Sequence, residues 1–308
     1  MKLYQNVMFG LRYKQWTYLE AFAYFLKGVT RELNIAPSVF LKYYENISSK
    51  AFKKKWLMKN NDESYFDFKG AKIPNISDNP QIFTELRSVF EDTFMFPCLF
   101  KDNYNKSVVE FMDQRMGEGP YGYTDGSFDV TVKQNDVVID AGAWIGDFSA
   151  YAVSKGAIAY AFEPVEGTFQ LLHQTIELNN GEIYPVQIGL ADRECEINIS
   201  VNGCYFGNSI FIERENSIKE KISITTLDKF VKENNIEKVD FIKADIEGAE
   251  RDMLRGATNV LKTFAPKLAI CTYHLPDDPE VLEKIILEAN PDYKVVHLRH
   301  KLFAAVVK

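Results

Sequence analysis

Val137-Val138-Ile139-Asp140-Ala141-Gly142-Ala143-Trp144-Ile145-Gly146-Asp147 is the stretch that decides the fold of this chain. An apolar, β-branched run that ends in an acid and turns through glycines reads as a buried parallel strand feeding a helix. In an open α/β sheet such a junction lies at the carboxyl edge, where backbone N–H groups and one carboxylate face a bound nucleoside. Eight residues of helix, Phe148 to Lys155, precede a second apolar strand, Ala157 to Phe162, which ends in Glu163-Pro164. Glu163 stands 23 residues after Asp140, close to the spacing at which an acid grips a ribose diol. Helix capping by the two carboxylates is the plainer reading, but strand, glycine turn, helix, strand and acid all occur in order.

The glycines decide which nucleoside is expected. A dinucleotide loop needs a second glycine two residues after the first, so that backbone meets pyrophosphate, and Trp144 holds that place. Asp147 stands where the third glycine would be. These two residues argue against an NAD(P)-linked oxidoreductase, the runner-up among enzymes. The surviving Asp-x-Gly-x-x-x-Gly suits a ligand with a cationic ammonium and no phosphate, and S-adenosylmethionine is such a ligand. Asp140 is expected to face the ammonium, with Gly142 and Gly146 keeping the turn tight.

Outward from this core, the 308 residues carry a formal net charge of −7, with 46 % apolar and 26 % charged residues. That balance is ordinary for a globular enzyme and excludes a general basic surface for nucleic acid. The basic run Lys50 to Lys59 reads as a solvated face. Four cysteines, Cys98, Cys195, Cys204 and Cys271, lack metal-ligand spacing, so the expected setting is reducing and cytoplasmic. Charged residues interrupt every long apolar segment, and no membrane span is expected.

Residues 1–125 are expected to form a mainly helical, aromatic-rich region that supplies an acceptor pocket or a homo-oligomer interface. Trp16, Leu19, Phe22, Ala23 and Leu26 recur at helical spacing. Ser64 to Pro74 reads as a hairpin turning at Gly70, and Ile82 to Phe94 as a helix. The segment Met116 to Tyr123 precedes the first cofactor strand, and Tyr121 or Tyr123 is expected near cofactor or substrate. Residues 126–308 form the binding domain, with strands at 137–140, 157–162, 183–188, 238–243, 267–273, 293–298 and 302–307. Helices are expected near 146–155, 165–179, 226–235, 247–261 and 278–289, and an extra hairpin or lid between Cys195 and Thr225. The polar break before the last run is too short for a crossover helix, so the last strand must run antiparallel.

Carboxylates cluster where the fourth strand meets its helix, in Asp245-Ile246-Glu247-Gly248-Ala249-Glu250, and the next strand ends in His274. His274 is the candidate general base, with Asp245 or Glu247 orienting it or taking the proton. The alternative is a Mg²⁺ ion on Asp245 and Glu247, and capping with Asp245 as N-cap is the plain reading. Lys243 is either an ion-pair partner or a substrate contact. Arg299 and His300 read as a hairpin tip.

With these residues in place, the chain resembles the FkbM-type family of class I S-adenosylmethionine-dependent methyltransferases. The resemblance rests on Val138 to Ala143 with Gly146, on Phe162-Glu163-Pro164, on Thr226 to Phe230 and on Ile242 to Glu250, and it covers residues 118–275. It implies a Rossmann-like α/β fold of seven mostly parallel strands with the last antiparallel. It also implies O-methylation of a hydroxyl on a sugar, glycan or secondary metabolite. The cofactor set carried over is Asp140, Gly142, Ala143, Trp144, Gly146, Glu163 and Pro164, joined by Tyr121 and Asp245. Trp144 departs from the small or polar residue usual in the first loop, and Thr272-Tyr273-His274 stands where many members carry a Glu. A partner subunit that binds the cofactor without catalysis is the non-enzyme alternative.

Overall fold

The structure is a computed structural model that describes residues 49–60, 63–90, 93–94, 99–100, 120–201, 218–298 and 300–307. The stripe from Trp16 to Leu26, Cys98, Met116 to Gly119, the loop Asn202 to Ser209 and Arg299 lie outside these residues. Two compact units divide the chain, residues 1–67 and 68–308.

In the first unit, strand Leu57–Asn60 pairs antiparallel with the strand that begins at Glu63, bringing Leu57 opposite Phe66. The rings of Phe52 and Phe66 lie 5.7 Å apart. The turn at Lys69 and Gly70 that follows this strand takes positive φ at both residues, as the glycine at that position anticipates.

The second unit is built around a seven-stranded sheet. Its strands are β1 (Val137–Ala141), β2 (Ile158–Phe162), β3 (Ile183–Val186), β7 (Phe241–Ala244), β8 (Lys267–Cys271), β9 (Tyr293–Leu298) and β10 (Lys301–Val306). The spatial order is β9-β10-β8-β7-β1-β2-β3. All neighbours from β3 to β8 pair in parallel, whereas β10 runs antiparallel to both β8 and β9. Helices α1 (Asp147–Ser154), α2 (Glu166–Leu178), α3 (Leu227–Glu233), α4 (Glu250–Arg255), α5 (Thr258–Phe264) and α6 (Asp278–Ala289) connect the strands. A second sheet holds β4 (Gly189–Leu190), β6 (Ile218–Thr225) and β5 (Cys195–Val201) in that order, which answers to the expected hairpin between Cys195 and Thr225.

Burial explains the apolar runs. Val138, Ile139 and Ala141 are fully buried, as are Phe241, Ile242 and Ala244 beside them, because helices on both faces leave the central strands no exposed side. Val138 lies opposite Phe241 and Ala141 opposite Ala244, so the ends of β1 and β7 are level. The loops that follow them therefore open at one edge.

Residues 68–125 belong to the sheet unit, although their composition differs from the rest. Asn179, the residue after α2, accepts from the Lys72 N–H at 3.0 Å and donates to the Lys72 carbonyl at 2.7 Å, tying strand Ala71–Pro74 to the helix. Tyr123 stacks on Phe303 of β10, 5.7 Å between ring centroids. The division between the compact units falls after Asp67 in the chain, while the sequence marks its change of character near residue 125.

One expected element is two. The helix expected over 247–261 is α4 and α5, separated at Gly256-Ala257. A side chain on Gly256 would place its Cβ 2.0 Å from the Ala191 carbonyl oxygen, so the helix break brings two backbones into close approach. The start is late for a separate reason: Glu247 and Gly248 both have positive φ, 56° and 102°, and a left-handed pair cannot lie inside an α-helix. Asp245 is accordingly not the N-cap, a place Ala249 holds with no side-chain bond.

Candidate active site

The first loop closes by backbone alone. Gly142 and Ala143 both donate to the Phe162 carbonyl, at 3.0 and 2.9 Å, and Gly142 has φ +75°. A Cβ on Gly142 would lie 2.0 Å from the Asp245 carbonyl oxygen, so the loops after β1 and β7 are in backbone contact. Gly146 is also left-handed and a Cβ there would strike Leu172 at 2.6 Å, which fits α1 against α2. Trp144 has φ +50°, a strained setting for a bulky residue.

Between these loops lies a cleft enclosing about 1050 Å³, open solvent at its mouth included. Glu163 and Trp144 line it on one side, Asp245, Ile246 and Glu247 on another, and Tyr121 and Lys243 also reach it. Ile188, Leu190, Ile199, Ile222 and Ile224, from the end of β3 and from β4 to β6, complete an apolar wall.

Glu163 is 7 % exposed. Its Oε2 accepts from the Trp144 N–H at 3.0 Å, and its Oε1 accepts from the Val165 N–H at 3.0 Å and from the Thr168 hydroxyl at 2.8 Å. Burial pushes its carboxyl up to about 7, against the pull of these donors. Pro164 follows it on the same wall.

Asp140 is placed differently from its expected position facing a ligand. The side chain is fully buried, accepts from the Ser149 hydroxyl at 2.6 Å and pairs with Lys243 Nζ at 3.1 Å. Lys243 also donates to the carbonyls of Ala141 and Gly142, at 3.3 and 2.5 Å. Of its two expected roles the ion pair is present: burial works against its charge, but Asp140, Asp245 and Asp147 outweigh it and hold its pKa above the ordinary lysine value. Asp140 and Lys243 thus hold the loop from beneath. Asp147, bonded to the Thr93 hydroxyl at 3.0 Å, is pushed up to about 6 by burial.

Across the cleft from Glu163 stands Asp245. Its Oδ2 accepts from the Tyr121 hydroxyl at 2.6 Å and its Oδ1 from the Tyr273 hydroxyl at 3.2 Å. Burial opposes its ionisation, yet Lys301, Lys243 and the Tyr121 hydroxyl together hold it well below the usual carboxylate range. Lys301 is 1 % exposed on β10; its Nζ lies 4.0 Å from the centre of the Tyr121 ring and donates to Cys271 Sγ at 3.1 Å. Nothing in the sequence marks it, because a lone lysine in a strand reads as exposed.

His274 sits among acids. Nδ1 lies 3.1 Å from Glu250 Oε1, and Nε2 lies 3.7 Å from both Asp245 Oδ1 and Glu247 Oε2. Burial disfavours the imidazolium, but Glu250, Asp245 and Glu247 outweigh it and raise the ring's pKa to about 9. The shift favours the protonated ring, whereas the general-base role expected of His274 calls for the neutral one. Glu250 is fixed by the backbone, its oxygens accepting from the Ile246 and Gly248 N–H groups at 2.8 and 3.1 Å. Among the described residues, Asp245, Glu250 and His274 form a group able to hold a cation, with ligand atoms within 4.8 Å of one another. Glu250, at the start of α4, stands in this group in the place expected for Glu247, although Glu247 also comes within 3.7 Å of the ring. His300 is exposed at the β9–β10 turn, where a hairpin tip is expected.

Sheet order and the inserted antiparallel strand, with a cleft over the parallel strand ends, define a class I methyltransferase fold. Residues 140–297, just over half of the chain, match the methyltransferase FkbM domain, and the chain belongs to that family. Hexuronic acid methyltransferase AglP of Haloferax volcanii is 26 % identical over 166 residues, 54 % of this chain and 67 % of the relative. Methyltransferase 1 of Beauveria bassiana is 27 % identical over 175 residues, 49 % of this chain and 68 % of the relative. The crystal structure of methyltransferase FkbM from Methylobacillus flagellatus superposes with a TM-score of 0.48 at 20 % identity, spanning 86 % of this chain and 60 % of that one. Among the described residues no helix is long and apolar enough to cross a membrane.

Proposed function

We propose that this protein is an S-adenosylmethionine-dependent O-methyltransferase acting on a hydroxyl of a sugar, glycan or secondary-metabolite acceptor. The observation that carries the reading is the cleft at the carboxyl edge, which offers one buried carboxylate, Glu163, and one carboxylate held ionised, Asp245, beside an apolar wall. These groups fit an adenosyl ligand. Glu163 Oε2 accepts a single N–H, leaving acceptor capacity for a ribose hydroxyl. The apolar wall of Leu190, Ile188 and Ile246 suits an adenine face, and Asp245 offers negative charge to an ammonium where Asp140 does not.

When bound, the cofactor supplies an electrophilic methyl on sulfur, so the protein's main task is alignment of the acceptor oxygen. Asp245 and Glu247 present carboxylate oxygens to which an acceptor hydroxyl donates. Tyr121 and Tyr273 fix the Asp245 carboxylate, and the buried wall of isoleucines excludes water. A sugar-type acceptor is favoured by the AglP likeness, since that relative is named for hexuronic acid.

Calorimetry with S-adenosylmethionine, S-adenosylhomocysteine and NAD tests the cofactor half. The expected result is binding of the two adenosyl ligands and none of NAD; tight NAD binding alone would end the proposal. Transfer of labelled methyl to nucleotide-linked hexuronates and glycans tests the acceptor half, where label on a nitrogen or carbon would rule out O-methylation.

A further inference from the structure

We propose that Asp245, Glu250 and His274 form a binding site for a divalent first-row transition ion, of the Mn²⁺ or Zn²⁺ kind, beside the cleft. His274 is the observation that sets this group apart from an ordinary acidic cluster. Its side chain retains 8 % of its exposure, and although Nδ1 lies 3.1 Å from Glu250 Oε1, neither ring nitrogen meets a partner in hydrogen-bond alignment among the described residues. A buried imidazole with both nitrogens so placed is costly unless something satisfies it. It is aimed between Glu250 Oε1, 3.1 Å from Nδ1, and Asp245 Oδ1, 3.7 Å from Nε2.

The spacing suits an ion. Bonds of about 2.1 Å separate adjacent ligand atoms by about 3 to 3.5 Å, and small side-chain rotations close a spread of at most 4.8 Å. Outer-shell donors of the kind that orient ligands are already in place. Both Glu250 oxygens are held by backbone N–H groups, and both Asp245 oxygens by tyrosine hydroxyls. Each oxygen keeps a lone pair for a metal. Three carboxylates, Asp245, Glu247 and Glu250, face the ring, with Lys301 and Lys243 bearing on Asp245, and an ion that displaces the ring proton on binding takes over the charge that proton supplies to them. One nitrogen and two oxygens favour a borderline ion over Mg²⁺, which prefers an all-oxygen shell. Asp245 shares this site with the cleft, which puts the ion within reach of an acceptor oxygen.

The site shares Asp245 with the cofactor reading but is tested without turnover. The full chain is stripped with chelator and titrated with MnCl₂, ZnCl₂ or MgCl₂. One Mn²⁺ or Zn²⁺ per chain is expected at micromolar or tighter affinity, with Mg²⁺ at least 100-fold weaker. His274→Asn and Glu250→Gln should each weaken Mn²⁺ binding by at least about 100-fold, while S-adenosylhomocysteine affinity, measured on the same samples, reports whether the cleft is intact. Pulsed EPR of the Mn²⁺-loaded wild type needs no variant and should show coupling to one imidazole ¹⁴N. Absence of that coupling, affinity unchanged in both variants, or no stoichiometric binding would overturn the site and leave His274 the centre of a metal-free ion cluster.

Discussion

The two lips of the cleft are built by different means. The lip formed by the loop after β1 and by Glu163 is made mostly of backbone: two N–H groups on the Phe162 carbonyl, a left-handed glycine, and a carboxylate held by two N–H groups and a hydroxyl. The opposite lip, at the ends of β7 and β8, is made of side chains drawn from distant points of the chain. Asp245 depends on Tyr121, Tyr273 and Lys301, and His274 on Glu250. A backbone device is rigid and local in sequence, whereas a side-chain device is tunable and assembled only by the fold. Each lip carries one strained non-glycine residue, Trp144 at φ 50° and Glu247 at φ 56°, as befits loops held in place by their surroundings.

The contrast breaks hardest at Gly142, where the lips touch. Gly142→Ala forces a Cβ to 2.0 Å from the Asp245 carbonyl at φ +75°, and neither backbone yields easily. The expected cost is about 3 kcal/mol or more in urea unfolding; a loss under about 1 kcal/mol would mean that the lips are not rigidly joined.

Glu163 sharpens the comparison through pH and binding. Its carboxyl titrates near 7 in the folded protein against an ordinary value of 4.5, so between those values the native state holds a proton that the unfolded chain has lost. Stability from this group is therefore complete below about pH 4.5 and falls as pH rises towards 7, by up to about 3 kcal/mol. Asp147, raised to about 6, acts in the same direction. Glu163→Gln should flatten the difference between melts at pH 5 and pH 8, and an identical slope in both proteins would contradict the burial argument. Glu163→Ala should weaken S-adenosylhomocysteine binding by roughly 1.5–3 kcal/mol, read by calorimetry.

On the side-chain lip the effects are smaller, because each partner is one of several. Tyr121→Phe removes the 2.6 Å bond to Asp245 but leaves Tyr273 and the lysines, so a loss of about 1.5 kcal/mol is expected in thermal or urea melts. An unchanged melt would show that Tyr121 does not hold Asp245. At the far end of the scale, Thr226 caps α3 through a bond to the Lys229 N–H at 3.1 Å. Thr226→Ala should cost about 1 kcal/mol without altering ligand affinity, a control that any change in binding would spoil.

The same division governs what could be read from the chain. All seven strands of the main sheet lie close to where apolar runs such as Val137 to Ile139 and Leu302 to Val306 put them, most clearly β1, β7, β8 and β10, since a strand buried on both faces has few residue choices. The antiparallel last strand followed from the short break at Arg299 to Lys301 alone. The backbone lip was legible too, because glycines and a strand-end acid are local signals. Asp140 was not: its orientation depends on Lys243, 103 positions away, whose ammonium draws the carboxylate inward. The break between α4 and α5 was hidden because it depends on Ala191 pressing on Gly256. Lys301 escaped notice because its burial has meaning only once Tyr121 lies across it and β10 lies inside the sheet.

The position of β10 bears on how the molecule is made. β10 lies between β8 and β9, although it follows both in the chain, and β9 has no other neighbour in the sheet. On a ribosome, strands β1, β2, β3, β7 and β8 can pair as they emerge, but β9 must wait until residues 301–306 have left the exit tunnel. Lys301 arrives with the same strand, so the charge that holds Asp245 ionised is among the last to join the site. A nascent chain paused before residue 301 would display the open edge of β8 and an incomplete side-chain lip, an unpaired edge of the kind that pairs with other chains.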